Sequence, residues 1–212
     1  MKIEIKTFMY DDWHFSCNTY VVYDEMKNCL IIDPGIDDTN IIDFITSNNL
    51  DVKGILLTHG HFDHIRGLNL ISKHFVCPLY IHESDISCLS DSTLNASYLD
   101  NCVFQTEAKP EIIHDGDVLK ILSKDITVIH TPFHTQGSVC FYMKEEGLLF
   151  SGDTLFRGSI GRFDFINSDF HSIKPSLNKL KKLPLDVRVY PGHGDKTTIG
   201  SEVKSNIYLS KI

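Results

Sequence analysis

The sequence has no long apolar run and no excess of basic charge, and each absence argues against a class of protein. No stretch approaches the ~18 consecutive apolar residues of a membrane-spanning helix. The formal net charge is −8, which argues against a nucleic-acid surface because such surfaces cluster lysine and arginine. The start, Met-Lys-Ile-Glu-Ile-Lys-Thr-Phe, alternates charged with apolar residues as a strand does. We therefore expect a cytoplasmic protein without membrane or nucleic-acid partners.

Paired cysteine motifs and internal linkers are also absent. The six cysteines form no C-x-x-C pair, and we expect them to be reduced, buried small hydrophobes. Hydrophobic residues make up 42% and charged residues 23% of the chain, which is ordinary for a globular protein with a large core. Neither a repeat nor a Pro/Gly linker divides the 212 residues, so we expect one domain over residues 1–212.

Short apolar runs predict strands in two groups, each accompanied by helical patterns. The first group is Ile3–Phe8, Thr19–Tyr23, Cys29–Ile32, Gly54–Leu57 and Leu79–His82, with helices at Thr39–Asn48 and Asp63–Phe75. The second is Ile112–His114, Val118–Leu122, Ile126–His130, Ser138–Met143, Leu148–Phe150 and Val187–Tyr190, with helices at Ser168–Leu183 and Glu202–Leu209. Residues 83–108 are polar and irregular apart from a short helix at Ser84–Leu89, and form a candidate lid or rim. The order suits two sheets packed face to face, although the pattern alone does not determine the topology.

The strongest local signal is the segment Thr58-His59-Gly60-His61-Phe62-Asp63-His64. It lies between an apolar run and a predicted helix, so four potential ligands share one turn. Histidine nitrogens and carboxylate oxygens bind Zn²⁺ at about 2.0–2.2 Å, and two ions about 3.5–4 Å apart can share a hydroxide. We predict that His59 and His61 hold one ion while Asp63 and His64 hold a second. Ordinary surface histidines are the alternative, which this density of ligands disfavours.

Further ligands are expected at the ends of other predicted strands. His134, Asp153 and His193 each follow an apolar run and have a glycine beside them or close by. Taken alone, each could be an ordinary turn residue. Together with the first motif they predict a single site, in which a carboxylate such as that of Asp153 can bridge two ions.

Five segments that carry or flank these ligands are spread over almost the whole chain. They are Ile32-Asp33-Pro34-Gly35, the His59-to-His64 motif, His134-Thr-Gln-Gly-Ser138, Ser151-Gly-Asp-Thr-Leu155 and Pro191-Gly-His-Gly194. In this order they resemble the motifs of the metallo-β-lactamase superfamily, and most of all those of its glyoxalase II branch. The resemblance implies an α/β fold, a four-layer αββα sandwich with the metal ions at one edge of the sheets.

The resemblance also implies which residues hold the metal ions. The implied ligands are His59, His61 and His134 for the first ion, Asp63, His64 and His193 for the second, and Asp153 as a bridge between the two. Asp33 would be a carboxylate that orients the ligands, a role that metal sites commonly need. Its alternative is a simple turn former before Pro34.

Two positions depart from the family pattern around the third motif. Phe133 stands where the family often has glycine, and Gln136 stands where it often has proline. We expect the ligand at His134 to be kept and the loop shape to differ. By the same alignment His130 is not a ligand. The remaining histidines have no motif and are interpreted as surface or core residues: His14, His74, His82, His114 and His171.

The stretch from Asp153 to Asp164 resembles the corresponding loop of glyoxalase II and its short relatives. Arg162 in this stretch either orients the loops of the metal site or meets an anionic substrate. Full-length glyoxalase II has a C-terminal helical region that holds glutathione, and only nineteen residues follow His193 here. We therefore expect a short, single-domain member in which that helical region is largely missing.

The implied function is hydrolysis of an acyl thioester, such as S-lactoylglutathione, by a metal-bridging hydroxide. The implied cofactors are two divalent metal ions, with Zn expected and Fe or Mn as alternatives. Asp63, Asp153 and Arg162 are the candidate catalytic residues, and a small-molecule thioester is the expected partner. The chief alternative is a mononuclear Fe(II) persulfide dioxygenase that would use His59, His134 and Asp153. A lactonase or phosphodiesterase of the same fold is a second alternative.

Overall fold

Two β-sheets form the frame of the computed structural model, which describes residues 2–9 and 17–211. Within those residues the first sheet has six strands: β1 Ile3–Met9, β2 Asn18–Asp24, β3 Asn28–Ile32, β4 Asp51–Leu56, β5 Leu79–His82 and β6 Glu111–Ile113. The strands lie side by side in chain order. Neighbours from β1 to β3 are antiparallel, and those from β3 to β6 are parallel. The parallel half therefore presents several strand carboxyl ends at one edge.

The second sheet, over the same described residues, also has six strands: β7 Val118–Ile121, β8 Lys124–His130, β9 Val139–Met143, β10 Leu148–Gly152, β11 Arg188–Pro191 and β12 Thr197–Thr198. They also lie side by side in chain order. All neighbouring pairs are antiparallel except β10 and β11, which are parallel. The ends of β10 and β11 therefore lie together at one edge.

Three apolar clusters give the molecule its layers. Side chains such as Leu30 and Phe141 fill the space between the two sheets. A second cluster lies between the first sheet and the helices α1 Asn40–Ser47, α2 Phe62–Ile65 and α3 Leu68–His74. A third lies between the second sheet and α4 Ile173–Lys181, α5 Ile199–Ser205 and α6 Ile207–Ser210. Each fully buried Leu or Phe contributes about 1.5–3 kcal/mol. The predicted αββα sandwich is confirmed.

The predicted helices differ from the observed ones where the backbone is crowded. The predicted helix Asp63–Phe75 is wrong as a single element, because it is divided into α2 and α3 at Gly67. The N–H of Gly67 donates to the carbonyl oxygen of Pro34 at 2.8 Å and so bonds the neighbouring loop. A Cβ at Gly67 would overlap the carbonyl oxygen of Ile36, so this approach requires glycine. The predicted helix Glu202–Leu209 is likewise divided at Asn206, whose extended backbone and side chain begin α6.

Two further predicted helices are partly 3₁₀. The segment predicted as Ser168–Leu183 begins with a 3₁₀ turn at Phe170–Ser172 and continues as α4, with Pro175 in the first turn of the α-helix, where its missing N–H costs nothing. The predicted helix Ser84–Leu89 is a 3₁₀ helix over Glu83–Leu89. The short strand β12 was not predicted at all.

The remaining expectations concern cysteines, membranes and one histidine. All six cysteines are free thiols, and burial excludes four of them from solvent while Cys77 and Cys102 are partly exposed. In the part of the chain that the structure describes, no helix has the length and apolar character needed to cross a membrane. His14 lies outside the described residues.

Candidate metal centre

The predicted ligands meet at the edge where the carboxyl ends of the parallel strands lie. His59 and His61 follow β4 in the first sheet, while His134 follows β8 in the second. Asp153 directly follows β10, and His193 follows β11. Ligands at the carboxyl ends of parallel strands converge because neighbouring strands all end on the same side. The structure thus brings all seven predicted metal ligands together.

The donor atoms form three overlapping groups, and within each group they all lie within 4.8 Å of one another. The groups are His59, His61 and His134; His59, His64 and Asp153; and Asp63, His64 and His193. Asp153 connects the groups, since its Oδ1 lies 3.2 Å from His64 Nε2 and its Oδ2 lies 3.4 Å from His134 Nε2. The arrangement suits two metal ions that share one carboxylate.

Hydrogen bonds on the far side of three imidazole rings fix which nitrogen faces the centre. His64 Nδ1 donates to Asp33 Oδ2 at 2.9 Å, and His134 Nδ1 donates to the carbonyl oxygen of Arg162 at 2.8 Å. Thr58 Oγ1 donates to Asp33 Oδ2, so it accepts from His59 Nδ1 at 3.1 Å. In the neutral form of each ring, these bonds leave the lone pair on Nε2, which is the form that a metal ion requires.

The interior of the cluster contains polar atoms that the protein itself does not satisfy. His59 Nε2 and His61 Nε2 are buried and accept or donate no hydrogen bond among the described residues. Buried polar atoms without a partner are costly. The facing nitrogens His61 Nδ1 and His134 Nε2 are only 2.8 Å apart. These atoms fit a bound cation, and the donor set of histidine nitrogens and carboxylate oxygens suits Zn²⁺, Fe²⁺ or Mn²⁺.

Without metal, the histidines of the two donor groups differ in protonation. Burial, with help from His134, lowers the pKa of His61 to about 3, so this ring is neutral. Burial also acts against charge on His64, but the carboxylates of Asp63, Asp153 and Asp33 outweigh it and raise its pKa to about 10. The second half of the cluster therefore holds protons that a metal ion must displace.

Asp33 holds the turn before the first motif. Its side chain is 2% exposed and accepts hydrogen bonds from Thr58 N at 2.7 Å and Thr58 Oγ1 at 2.6 Å in addition to that from His64. Its backbone has φ of 50°, in the left-handed region that aspartate and asparagine tolerate better than most residues. The structure thus places Asp33 behind the ligands, where it can orient them.

Arg162 is positioned differently from the other candidates. Its side chain is 65% exposed, makes a bidentate ion pair with Asp164 at 2.9 and 3.0 Å, and lies over the ring of Phe165. Its carbonyl oxygen orients His134, as described above. The residue therefore contacts the ligand shell through its backbone and the pocket through its side chain.

Several residues that support the site were not predicted. Asn18 Nδ2 donates to the carbonyl oxygens of Pro191 at 3.0 Å and Gly194 at 2.9 Å, and the Tyr20 hydroxyl donates to Pro191 at 2.6 Å. These bonds fix the loop that carries His193. Asp85 was also missed, because its segment is polar and irregular in sequence. Its position three residues after the predicted strand Leu79–His82 is the signal that was available in the sequence.

The metal cluster forms the floor of a pocket of about 420 Å³. Its lining combines the ligands with apolar side chains, among them Leu99, Phe156, Ile160 and Phe165. Asn95, Ala96 and Leu99 belong to the segment predicted as a rim, and the structure places them in the pocket wall. A larger open cleft of about 820 Å³ beside β12 is lined by none of the seven ligands.

Comparisons with known proteins agree with this geometry. A family model for the metallo-beta-lactamase superfamily matches residues 13–193. The hydroxyacylglutathione hydrolase GloC of Haemophilus influenzae is 33% identical over 200 residues, which cover 92% of this chain and 94% of that protein. The BLEG-1 B3 metallo-beta-lactamase has a TM-score of 0.91 at 36% identity, over 98% of this chain and 100% of that chain. TTHA1623 in a di-iron-bound form has a TM-score of 0.84 at 32% identity, over 95% and 100%.

Proposed function

Because the chain belongs to the metallo-beta-lactamase superfamily and is a metallo-hydrolase of that group, we propose that it hydrolyses an acyl thioester in the manner of a short glyoxalase II. The proposed substrate is S-lactoylglutathione or a similar hydroxyacyl thioester. The observation that carries the proposal is the opening of the His/Asp cluster into a pocket whose walls include Leu99, Phe156, Ile160 and Phe165. The similarity to GloC supports this choice among the hydrolytic reactions of the superfamily.

The pocket has a size and a polarity suited to a thioester. Its volume of about 420 Å³ lies in the range of small-molecule sites, roughly 300–1,000 Å³. Phe156, Ile160 and Phe165 offer apolar contact to the sulfur and the methylene groups beside it. These side chains also exclude water from the reacting carbonyl, which strengthens electrostatic interactions at the floor of the pocket.

The ligand residues would hold two divalent metal ions, with zinc expected and iron or manganese as alternatives. When bound, such ions supply Lewis-acid polarisation of a carbonyl and a nucleophile at neutral pH. Asp63 lines the pocket, and we propose that its carboxylate accepts a hydrogen bond from the attacking water. Although burial opposes ionisation of Asp63, the neighbouring His64 and His193 lower its pKa to about 2, so it is ionised at neutral pH.

Arg162 is proposed to meet the anionic part of the thiol. Among the described residues that line the pocket, it is the one arginine or lysine. Its ion pair with Asp164 is exposed, and exposed pairs are weak, typically 0–1 kcal/mol. A substrate carboxylate can therefore replace Asp164 at little cost. We propose that Arg162 contributes chiefly to substrate binding, through its guanidinium group.

The test is thiol release from S-lactoylglutathione by the purified protein with its metal content measured. We expect turnover that a chelator abolishes and that added Zn²⁺ restores. Asp153→Asn, which removes the negative charge of the proposed bridging carboxylate and replaces one of its two oxygens with an NH₂ group, should lose most turnover. The matched variant Asp186→Asn, at an exposed position outside the pocket, should retain it.

A protein with two metal ions bound and no thiol release would refute the proposal. The same preparation should then be offered a β-lactam, a lactone, a phosphodiester and a persulfide. Turnover of one of these would assign the site to that chemistry. Oxygen consumption with a persulfide and a single bound iron would assign a dioxygenase.

A further inference from the structure

Asp85 is a buried carboxylate that touches two ligand-bearing loops at once. It lies in the 3₁₀ helix Glu83–Leu89, directly after β5, and is fully buried. Its Oδ2 accepts hydrogen bonds from Gly60 N at 2.9 Å and from Thr135 Oγ1 at 2.7 Å, and its Oδ1 accepts from Gly137 N at 2.8 Å. Gly60 separates the ligands of the first motif, and Thr135 directly follows the ligand of the third motif.

These bonds connect the two sheets at the metal edge. Gly60 belongs to the loop after β4 of the first sheet, whereas Thr135 and Gly137 belong to the loop between β8 and β9 of the second. The three histidines of one donor group come from these same two loops. A carboxylate that fixes the separation of the loops therefore also fixes the separation of those histidines.

The two glycines allow the 3₁₀ helix to approach this closely. A Cβ at Gly137 would lie 2.5 Å from Asp85 Cγ. A Cβ at Gly60 would overlap the Cβ of Cys88, one turn further along the same 3₁₀ helix. The 3₁₀ helix therefore packs directly against both loops, and Asp85 lies on the side of the helix that faces them.

The second donor group has no such contact to Asp85. His64 is oriented by Asp33, and the loop of His193 is held by Asn18 and Tyr20. None of the three hydrogen bonds of Asp85 goes to α2, which carries Asp63 and His64, or to the loop that carries His193. The hydrogen bonds of Asp85 thus reach only the loops that carry His59, His61 and His134.

We propose that Asp85 is a positioning residue for the metal position formed by His59, His61 and His134, and not for the position formed by Asp63, His64 and His193. Each oxygen of Asp85 accepts from a backbone N–H, Oδ1 from Gly137 and Oδ2 from Gly60. In the asparagine variant the amide NH₂ group must therefore face one of these two N–H groups. The loops must then separate, and the three histidine nitrogens no longer converge. The inference uses the metal positions on which the proposed function rests, but it requires no substrate.

The test measures Zn²⁺ affinity by competition with a chromophoric chelator in two backgrounds. His193→Ala isolates the first position, and His61→Ala isolates the second. Adding Asp85→Asn should weaken Zn²⁺ binding about 10–100-fold in the first background, as loss of a supporting hydrogen bond typically does. It should change binding less than about 3-fold in the second. Because no substrate is involved, a negative thioesterase assay would leave this result intact.

The matched control is Asp91→Asn, since Asp91 accepts only backbone N–H groups of its own turn, from Thr93 and Leu94. It should leave both affinities unchanged. Equal weakening in the two backgrounds would show a general structural role and overturn the proposal. An unchanged affinity in the His193→Ala background would overturn it as well.

If Asp85→Asn does not fold, a smaller change at Thr135 decides the question. Thr135→Val removes one hydrogen bond to Asp85 and keeps the shape of the side chain, whereas Thr135→Ser keeps the hydroxyl. The valine variant should weaken the first position selectively, and the serine variant should restore it. Equal Zn²⁺ affinities of the two variants in the His193→Ala background would contradict the role of Asp85.

Discussion

Replacing Asp33 with asparagine should reverse the proton positions on two metal-ligating rings while leaving the backbone in place. Asparagine tolerates the left-handed φ of 50° as well as aspartate does. The amide N–H₂ that replaces Oδ2 would donate to Thr58 Oγ1 and would face His64 Nδ1. His64 must then carry its proton on Nε2. Thr58 in turn donates to His59 Nδ1, which drives the proton of that ring to Nε2 as well.

The expected loss of metal affinity follows from the number of hydrogen-bond donors that would face other donors. Both rings would present N–H groups, and not lone pairs, to the metal ions. To bind metal, His59 and His64 must each return the proton to Nδ1. Each Nδ1–H then faces another hydrogen-bond donor in the interior, and each such conflict costs about 1–3 kcal/mol. Together they cost about 2–6 kcal/mol, which corresponds to a loss of about 30-fold to about 10⁴-fold in metal affinity.

Chelator competition at neutral pH measures this loss, and ¹⁵N spectra of the histidine rings report the protonated nitrogen directly. Asp24→Asn is the matched control, since Asp24 is also 2% exposed and accepts hydrogen bonds from Met26 N and Asn28 N in the turn after β2. Wild-type Zn²⁺ affinity in Asp33→Asn, or an equal loss in Asp24→Asn, would refute the reasoning.

Three further outcomes are expected. His134→Ala should remove one bound ion. His130→Ala, which loses a stacked ring contact with His82, should retain both ions. Equal metal contents of the two variants by elemental analysis would mean that the third motif is misaligned. The pKa values of His64 and His193 are raised to about 10 and about 11 by nearby carboxylates that outweigh burial. Their ion pairs therefore stabilise the metal-free protein fully below pH about 6.5, and this stability is lost as the pH rises through those values. Metal binding displaces the same protons, so the metal-induced rise in Tm should grow from pH 6.5 to 9; a rise that is constant with pH would contradict the assignment. Gly192→Ala places a methyl group against the bridging carboxylate and should abolish turnover without unfolding the protein, as judged by circular dichroism; full turnover would contradict the close approach.

The ligands were predictable because each is marked by a local pattern. The first motif concentrates four donors in six residues, and the other ligands follow apolar strands with glycines nearby. Most strands were predictable for the same reason, since the alternation and length of the apolar runs depend on local sequence. The four-layer αββα arrangement was inferred from the resemblance of the five motifs to those of a known family. Asp33 could be assigned because its motif resembles one of known role.

The features that escaped prediction depend on contacts between distant segments. The break at Gly67 follows from the approach of Ile36, about thirty positions earlier in the chain, and nothing in the periodicity of Asp63–Phe75 records it. Asp85 occurs in a polar stretch without a repeat, and its partners Gly60 and Gly137 are far from it in sequence. Such contacts become visible only when the two sheets are packed.

The division of the ligands between two sheets has a consequence for the order of folding. His61 and His134 are separated by 73 positions along the chain, and His64 and His193 by 129. Contacts of this separation form late, because closing long loops costs entropy that only subsequent contacts recover. A nascent or partly folded chain therefore offers short His/Asp segments in place of the completed donor sets. The binding free energy of the ions is then coupled to the docking of the two halves, so metal supply adds to the stability of the finished fold.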